Sequence, residues 1–498
     1  MTTTISRRSV LLGAAAAGLL PAAALAGPPA TSLRPALRPG DHFHRKIPEA
    51  AKLIEAAGLG GQVGFAVADA ATGLILETHE ATTGLPPASV AKAITALYAL
   101  DRLGPEHRFE TQVLATGPIA GGVLEGDLVL VGGGDPTLGT DALADLAQQI
   151  KAAGLRALRG RFLVWGGTLP FAREIDPAQP AHVGYNPAVS GLSLNFNRVH
   201  FEWRRQGESY GVTMDARSER YRPEVQVARM TVVARDMPVY TYEDQGGRDS
   251  WTVAQGALGN GGARWLPVRR PALYAGEVFR TFARSNGIEL PQEQEADTLP
   301  PGTVLARHQS VPLREILRDM LKYSTNITAE MVGIAASQSG GTRMPDLRAS
   351  ATEMGRWARL RMGMQDVGFV DHSGLGDASG VTAGAMVQAL TRAAQDNRLR
   401  PLLKEVRLRD GNGGIARDHP ISVEAKTGTL NFVSSLAGYM TTKDGTELAF
   451  AIFTADEDTR AAIPRAERER PRGARDWNRR SKILQQALIE RWGAMYGE

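Results

Sequence analysis

The chain has 498 residues, of which 43% are hydrophobic and 22% are charged, a composition typical of globular proteins with more than one domain. Its formal net charge of only +4 gives no case for nucleic-acid binding. The sequence contains no cysteine, which excludes disulfides, thiolate catalysis and cysteine-ligated metals.

The N-terminus has the pattern of an export signal. Paired arginines at positions 7 and 8 precede an apolar run, and the small-x-small sequence Ala24-Leu25-Ala26 follows it. We therefore predict a signal peptide over residues 1–26, too short to form a stable membrane span. Both a twin-arginine signal and a general secretory signal fit. Either route predicts a mature protein outside the bacterial cytoplasm, in the periplasm.

The first regular elements are a hairpin and a helix. Two apolar runs over residues 63–69 and 74–78 flank a turn sequence and predict a β-hairpin. A glycine and two prolines within residues 84–87 then exclude a helix. The following residues repeat apolar side chains at helical spacing, so a helix is predicted to begin near Ser89.

Ser89 and Lys92 are a candidate nucleophile and base. Residues three apart share one face of a helix, so Nζ of Lys92 can reach Oγ of Ser89. A desolvated lysine with a lowered pKa can take the proton of a serine hydroxyl. An isolated Ser-x-x-Lys sequence is more often a capping serine followed by a solvated lysine, so this hypothesis depends on further motifs.

Residues 106–301 have a different texture, with short apolar runs separated by Gly, Asp and Pro. This texture predicts a β-rich region. Predicted strands lie near residues 128–131, 161–165, 212, 225–233 and 239–242, and predicted helices span 142–153 and 271–285. The glycine run 132–134 lacks the spacing of a phosphate-binding loop and is predicted to be a tight turn.

Helices return after residue 301. A helix is predicted over residues 312–323, and a second begins near Asn326. Between them lies Tyr323-Ser324-Thr325-Asn326, whose polar side chains are well placed to point into a cleft. Alternatively, Ser324 and Asn326 only cap the second helix.

The C-terminal third predicts an antiparallel sheet. A loop over residues 371–377 and a helix over 382–394 precede strands over 421–429, 434–440 and 447–455. The first of these strands carries Lys426-Thr427-Gly428-Thr429, where the missing side chain of Gly428 lets a ligand backbone approach. Arginines within residues 465–480 predict a solvated loop, and a helix over 481–496 closes the chain.

Three motifs thus follow in order: Ser89 with Lys92, Ser324 with Asn326, and Lys426-Thr427-Gly428. This triple occurs in serine β-lactamases and penicillin-binding proteins. Further segments refine the match, namely residues 132–138, 190–195, 308–313 and 371–375. With them, the chain resembles the D-alanyl-D-alanine carboxypeptidase/endopeptidase family, the class C low-molecular-mass penicillin-binding proteins, along nearly its whole mature length.

The resemblance implies an α/β multidomain fold. A serine β-lactamase/transpeptidase-like domain, with an antiparallel sheet flanked by helices and a helical cluster, would comprise residues 27–104 and 302–498. A large β-rich insertion over residues 105–301, with two nested subdomains, would separate the Ser89 and Ser324 motifs.

The resemblance also implies a serine D-Ala-D-Ala carboxypeptidase that is also a DD-endopeptidase on peptidoglycan stem peptides. Ser89 would attack the carbonyl between two terminal D-alanines, with Lys92 as base. Ser324 would relay a proton between Lys92, Lys426 and the leaving amine. Asn326 would hold Lys92 or the substrate amide.

The remaining implied contacts bind substrate. Lys426 and the hydroxyls of Thr427 and Thr429 would hold its terminal carboxylate, beside Gly428. Backbone N–H groups of Ser89 and Thr429 would form the oxyanion hole. The family needs no metal and no cofactor, and β-lactam antibiotics would inhibit by acylating the serine. The pattern carries no information on the oligomeric state.

Two departures from the family pattern stand out. Thr325 replaces the usual aspartate of the second motif, at a side chain expected to face away from the cleft. The segment Trp165-Gly166-Gly167-Thr168 lacks a pair of acidic residues usual in relatives, which predicts an altered preference for the stem-peptide side chain. Two alternatives stay open: a β-lactamase or esterase on the same fold, and a catalytically silent peptidoglycan-binding protein.

Overall fold

The computed structural model describes residues 47–410 and 413–497, and the predicted signal peptide over residues 1–26 lies outside these ranges. The helices are α1 (Ala50–Ala57), α2 (Ala91–Leu103), α3 (Thr140–Ala152), α4 (Pro271–Ser285), α5 (Leu313–Tyr323), α6 (Asn326–Gln338), α7 (Leu347–Met362), α8 (Ala383–Ala394), α9 (Glu457–Ala461) and α10 (Ala474–Tyr496). The strands are β1 (Gln62–Asp69), β2 (Ile75–His79), β3 (Gly84–Leu85), β4 (Glu110–Ala115), β5 (Ile119–Ala120), β6 (Val123–Leu124), β7 (Leu128–Gly132), β8 (Ala157–Leu158), β9 (Phe162–Trp165), β10 (Arg198–Gln206), β11 (Ser209–Asp215), β12 (Ala228–Val233), β13 (Tyr240–Asp244), β14 (Asp249–Ala254), β15 (Gly261–Pro267), β16 (Gln294–Glu295), β17 (Thr303–Gln309), β18 (Val381–Thr382), β19 (Lys404–Glu405), β20 (Ser422–Leu430), β21 (Val433–Thr441) and β22 (Glu447–Ala455).

The central sheet has the order β19-β20-β21-β22-β1-β2, and every neighbouring pair in it is antiparallel. Strands β1 and β22 pair in register, with Phe65 opposite Ile452. The sheet therefore joins the first strands of the described chain to the last. The hairpins β1–β2, β20–β21 and β21–β22 all lie where the sequence predicts strands.

Both faces of this sheet are covered, because its strands bury residues of both alternating sets. In β1, Ala66 and Ala68 belong to a core that also includes side chains of α2, α5, α7 and α8. The alternate residue Phe65 belongs to a second core, which includes Trp492 of α10. The candidate nucleophile, Ser89, lies in a short turn directly before α2, one of the helices on the first face.

The inserted region contains its own sheet, with the order β16-β9-β7-β4-β17. Residues of α3 and α4 share one core with this sheet and with two further three-stranded sheets, β11-β10-β15 and β12-β14-β13. Strand β17 pairs with β4, with His308 opposite Thr111, so this sheet extends past the boundary predicted at residue 301. Most residues of β17 are only partly buried or exposed, and the strand therefore has no clear apolar signal in the sequence.

The structure differs from the sequence prediction at two helices. Helix α7 is not predicted from the sequence, although buried Leu347, Ala351 and Met354 recur at helical spacing. Helix α10 begins at Ala474, so the loop predicted over residues 465–480 is wrong in its second half. Ala474 and Trp477 belong to a small apolar cluster with Phe432 and Ile463, and this packing orders the chain there.

Within the described residues, no helix combines the length and apolar character needed to cross a membrane.

The insert also supports the second motif. Leu169, Ile175 and Val189 from the insert form one apolar cluster with Ile327 and Met331 of α6. Helix α6 starts at Asn326, so these contacts fix the position of that side chain against the inserted region.

Candidate active site

Ser89 lies in a short 3-10 turn, Ala88–Val90, that leads directly into α2. Ala88 and Val90 are buried, whereas Ser89 keeps part of its surface in solvent. Ala88 has a φ of 46°, a left-handed conformation that is unfavourable for a residue with a Cβ. Its neighbours therefore hold this turn in a strained shape, which is typical of functional sites.

Lys92 is fully buried, and its ammonium group has three hydrogen-bond acceptors. Nζ donates to Oγ of Ser89 at 3.0 Å, to Oδ1 of Asn326 at 2.7 Å and to the carbonyl oxygen of Ser373 at 2.6 Å. A lysine ammonium has three donors, so this set is complete. The predicted pairing of Ser89 with Lys92 is therefore present as a direct contact.

Burial lowers the pKa of Lys92 to about 8, although the nearby carboxylates of Asp371 and Glu330 oppose the shift. Desolvation destabilises the cation, which is why it dominates over these attractions. A lysine with this pKa is neutral in a useful fraction of molecules near neutral pH. Neutral Nζ can accept the proton of Ser89.

Ser324 and Lys426 form a second hydroxyl–amine pair. Ser324 ends α5 in a left-handed conformation, with φ 59°. Nζ of Lys426 donates to Oγ of Ser324 at 2.9 Å and to the carbonyl oxygen of Thr427 at 2.6 Å. Lys426 is buried, and both this burial and the charge of Lys92 lower its pKa. The two lysines thus lie close enough to influence each other.

Strand β20 approaches the nucleophile turn at Gly428. A Cβ added there would lie 2.8 Å from the carbonyl oxygen of Pro87 and 3.0 Å from the backbone nitrogen of Ser89. Only glycine permits this approach without a displacement. Thr427 and Thr429 lie on either side of Gly428 in this strand. Thr427 is half-buried and Thr429 is exposed.

All eight predicted site residues therefore belong to one polar cluster or to the strand that borders it. Three further groups at the site are not predicted from the sequence: the carbonyl of Ser373, and the carboxylates of Glu330 and Asp371. Glu330 is the one charged residue in the sequence of α6, a position four residues after Asn326 that could have drawn attention. The contribution of Ser373 has no residue-type signal, because its carbonyl belongs to the main chain.

The inserted region contributes one direct contact. Nδ2 of Asn326 donates to the carbonyl oxygen of Tyr185 at 3.0 Å. With its Oδ1 on Lys92, Asn326 is thus fixed from two sides.

The segment Trp165–Thr168, where the sequence lacks an acidic pair, contributes Gly166 and Gly167 to the lining of a cavity of about 250 Å³. Arg269, Arg270 and Glu295 also line this cavity. The altered side-chain preference stays a prediction. Within the described ranges, no group of three or more His, Asp or Glu side chains could hold a metal ion.

A covered antiparallel sheet, a serine in a strained turn before a helix and a buried lysine in contact with that serine define a serine acyl-transfer enzyme of the β-lactamase and transpeptidase class. Comparison with family models narrows the class, because residues 49–470 match the D-Ala-D-Ala carboxypeptidase 3 (S13) family. The chain belongs to this family. It is accordingly a serine-type D-Ala-D-Ala carboxypeptidase, a hydrolase, as the sequence analysis predicted.

Curated relatives agree with this assignment. The D-alanyl-D-alanine carboxypeptidase of Actinomadura sp. (strain R39) is 31% identical over 434 residues, which cover 80% of this chain and 79% of that protein. The D-alanyl-D-alanine carboxypeptidase DacB of Haemophilus influenzae is 25% identical over 433 residues, covering 79% of this chain and 85% of that protein.

A solved structure supports the fold. Penicillin binding protein 4 from Haemophilus influenzae has a TM-score of 0.71 at 20% identity, covering 92% of this chain and 100% of that one. A second structure of that protein, complexed with a β-lactam, has a TM-score of 0.70, also at 20% identity, and covers 89% of this chain and 99% of that one. The predicted transpeptidase-like α/β fold is thereby confirmed.

Proposed function

We propose that this carboxypeptidase works through an acyl-enzyme on Ser89, with Lys92 as the base. In the first step, Oγ of Ser89 bonds to the carbonyl carbon of the penultimate D-Ala of the stem peptide, and its proton moves to Nζ of Lys92. The observation that carries this proposal is the 3.0 Å contact between Nζ and Oγ, within the range for direct proton transfer.

The tetrahedral intermediate then collapses. The C–N bond to the terminal D-Ala breaks, and the leaving amine takes a proton from Oγ of Ser324. Lys426, in contact with that hydroxyl at 2.9 Å, replaces the proton. Water then attacks the ester, and the neutral Lys426 takes the proton of this water through Oγ of Ser324. The ester C–O bond breaks, Lys92 returns to Oγ of Ser89 the proton that it took in the first step, and the shortened stem peptide leaves with a free carboxylate on its last D-Ala.

Two groups of contacts orient the substrate. We assign the oxyanion hole to the backbone N–H groups of Ser89 and Thr429, since Gly428 brings this strand against the turn. We assign the terminal carboxylate to Lys426 with the hydroxyls of Thr427 and Thr429. A buried cation makes a strong charge-assisted contact with an incoming carboxylate because little water screens it.

The same chemistry extends to crosslinked peptidoglycan. A DD-crosslink is also an amide on the carbonyl of D-Ala, and it differs only in the amine that leaves. Nothing in the proposed steps requires that this amine be free D-Ala. We therefore propose that the enzyme is also a DD-endopeptidase.

Covalent inhibition by β-lactams follows from the same nucleophile. The β-lactam amide would acylate Ser89, and its ring-opened amine would stay attached. The substrate polymer lies outside the cytoplasm, which agrees with the predicted export signal. We propose the periplasm as the site of action.

The decisive experiment is mass spectrometry of the intact protein after incubation with penicillin. We expect a mass increase equal to one penicillin on the parent chain and none on Ser89→Ala. A D-Ala-D-Ala peptide and a purified crosslinked muropeptide then report the two hydrolytic activities. A folded parent chain that never gains the adduct would refute the proposal. Rapid loss of the adduct would instead favour a β-lactamase.

A further inference from the structure

Residues 371–376 form a loop that closes the buried side of the Lys92 site. We call it the anchoring loop. The carbonyl of its Ser373 accepts from Nζ of Lys92 at 2.6 Å, and the carbonyl of its His372 accepts from the hydroxyl of Thr95 at 2.6 Å. Lys92 and Thr95 lie one turn apart on α2. The loop is therefore hydrogen-bonded to α2, the helix that follows Ser89.

A single carboxylate holds the opposite side of the loop. Oε2 of Glu330 accepts from the backbone N–H of His372 at 3.1 Å, and Oε1 accepts from the N–H of Ser373 at 2.9 Å. The backbone N–H of Ser373 thus donates to Glu330, and its carbonyl oxygen accepts from Lys92. Glu330 is fully buried, so these bonds are shielded from water and strengthened.

A second carboxylate fixes the remainder of the loop. Oδ1 of Asp371 accepts from the N–H of Gly374, and Oδ2 accepts from that of Gly376, both at 2.6 Å. Gly374 has a φ of 70°, and a Cβ on it would lie 1.8 Å from the carbonyl oxygen of Ala88. The loop therefore contacts the nucleophile turn as well as the lysine.

We propose that Glu330, together with Asp371, is a positioning residue for the acylation step. The pair fixes the Ser373 carbonyl that orients Lys92, and it supplies the negative charge that stabilises Lys92 once the lysine has taken the serine proton. This inference rests on the proposed function of Ser89 and Lys92.

The charges around Lys92 agree with this role. Two carboxylates and one lysine are buried together, and this burial raises the pKa of both Glu330 and Asp371. Both carboxylates attract the Lys92 cation and oppose the fall in its pKa, so removal of either one should reduce the stabilisation of the charged lysine.

The other titratable groups near the cluster do not supply this negative charge. Burial holds the pKa of His372 at about 3, so its ring is neutral. Lys426, from β20, can carry only positive charge, and the charge of Lys92 lowers its pKa. Asp176, from the insert, faces Asp371 and raises its pKa. The stabilising charge therefore comes from Glu330 and Asp371.

The test compares acylation rates by labelled penicillin over a pH range. In the parent chain, the rate should rise with pH through the pKa of Lys92. In Glu330→Gln, the shape is kept and the charge is lost, so the midpoint should fall by about one pH unit. The rate at the high-pH plateau should fall about 100-fold, because Lys92 is less precisely held.

Two further variants separate charge from position. Glu330→Asp keeps the charge but shortens the side chain, so it should lower the plateau and leave the midpoint near that of the parent. Asp371→Asn removes the other carboxylate and should also lower the midpoint, which decides the matter if Glu330→Gln does not fold.

The insert offers a matched control. Glu277 of α4 is also buried and also accepts from two consecutive backbone N–H groups, those of Gln226 and Val227, at 2.6 and 2.9 Å. Glu277→Gln should lose similar stability and keep the parental pH profile. A lowered plateau with an unmoved midpoint in both Glu330→Gln and Asp371→Asn would overturn the electrostatic role. A parent chain that is never acylated would instead refute the proposed function.

Discussion

Replacement of Gly428 by alanine tests whether the close approach of β20 to the nucleophile turn is needed for catalysis. The added Cβ would lie 2.8 Å from the carbonyl oxygen of Pro87, 3.0 Å from Cβ of Ala88 and 3.0 Å from the nitrogen of Ser89. None of these atoms can rotate away, because two are backbone and one is a Cβ. Since carbon contacts are optimal near 3.5 Å, the strand and the turn must separate by about 0.5 Å.

This displacement acts mainly on the proposed oxyanion hole. Overpacking by one methyl group costs about 1–3 kcal/mol of stability, which leaves most proteins of this size folded. The hole needs both donors within about 3 Å of the developing oxyanion, and loss of one donor slows acyl transfer by about 100-fold. We therefore expect Gly428→Ala to be folded and to react with penicillin about 100-fold more slowly.

The measurement is the second-order rate constant for acylation by labelled penicillin, with thermal unfolding followed in parallel. Gly302→Ala is a matched control next to strand β17 of the inserted sheet, because its added Cβ would lie 2.7 Å from the carbonyl oxygen of Ala115. It should lose similar stability and react at the parental rate. A parental rate in Gly428→Ala, or an equal loss in both variants, would refute the reasoning.

Three further outcomes are expected. Asn326→Asp puts a carboxylate at the atom that now lies 2.7 Å from Nζ of Lys92, so the acid limb of the acylation profile should move up by about one pH unit, which labelled penicillin would report. His372 has a folded-state pKa of about 3 against 6.5 for an ordinary histidine, so the unfolded chain binds the extra proton. Stability should therefore fall as the pH drops from 6.5 towards 3, and His372→Gln should flatten this dependence in urea unfolding. Trp477→Ala should cost about 3–5 kcal/mol in the same unfolding assay, since the ring is buried where a solvated loop was predicted.

The side chains that we propose for catalysis could be located from the sequence because their signals are local. Prolines before Ser89 and apolar spacing after it determine where the helix begins, and that start determines that Lys92 lies on the same face as the serine. Strand β20 could be predicted in the same way, because apolar and polar residues alternate in the sequence that leads to Lys426. These features need no knowledge of the remainder of the fold.

The anchoring contacts could not be predicted, because they depend on partners far apart in the sequence. Ser373 contributes a main-chain carbonyl, which every residue possesses, and Lys92 lies 281 positions away. Glu330 is unusual only because it is charged and buried, and burial is a property of the folded chain. The start of α10 escaped prediction for a related reason: several arginines suggested a solvated segment, whereas the packing of Trp477 decides the conformation.

The anchoring loop and strand β20 both pack against the nucleophile turn and hold it in its strained conformation. The left-handed conformation of Ala88 costs about 1–3 kcal/mol and would relax if the turn were free. It is held between two glycines, with Gly374 against its carbonyl oxygen and Gly428 against the nitrogen of Ser89. Because a Cβ at either position would push its segment away, the anchoring loop and strand β20 must both pack closely against the turn. The serine is thus oriented before substrate arrives, and the free energy of orientation comes from folding rather than from binding.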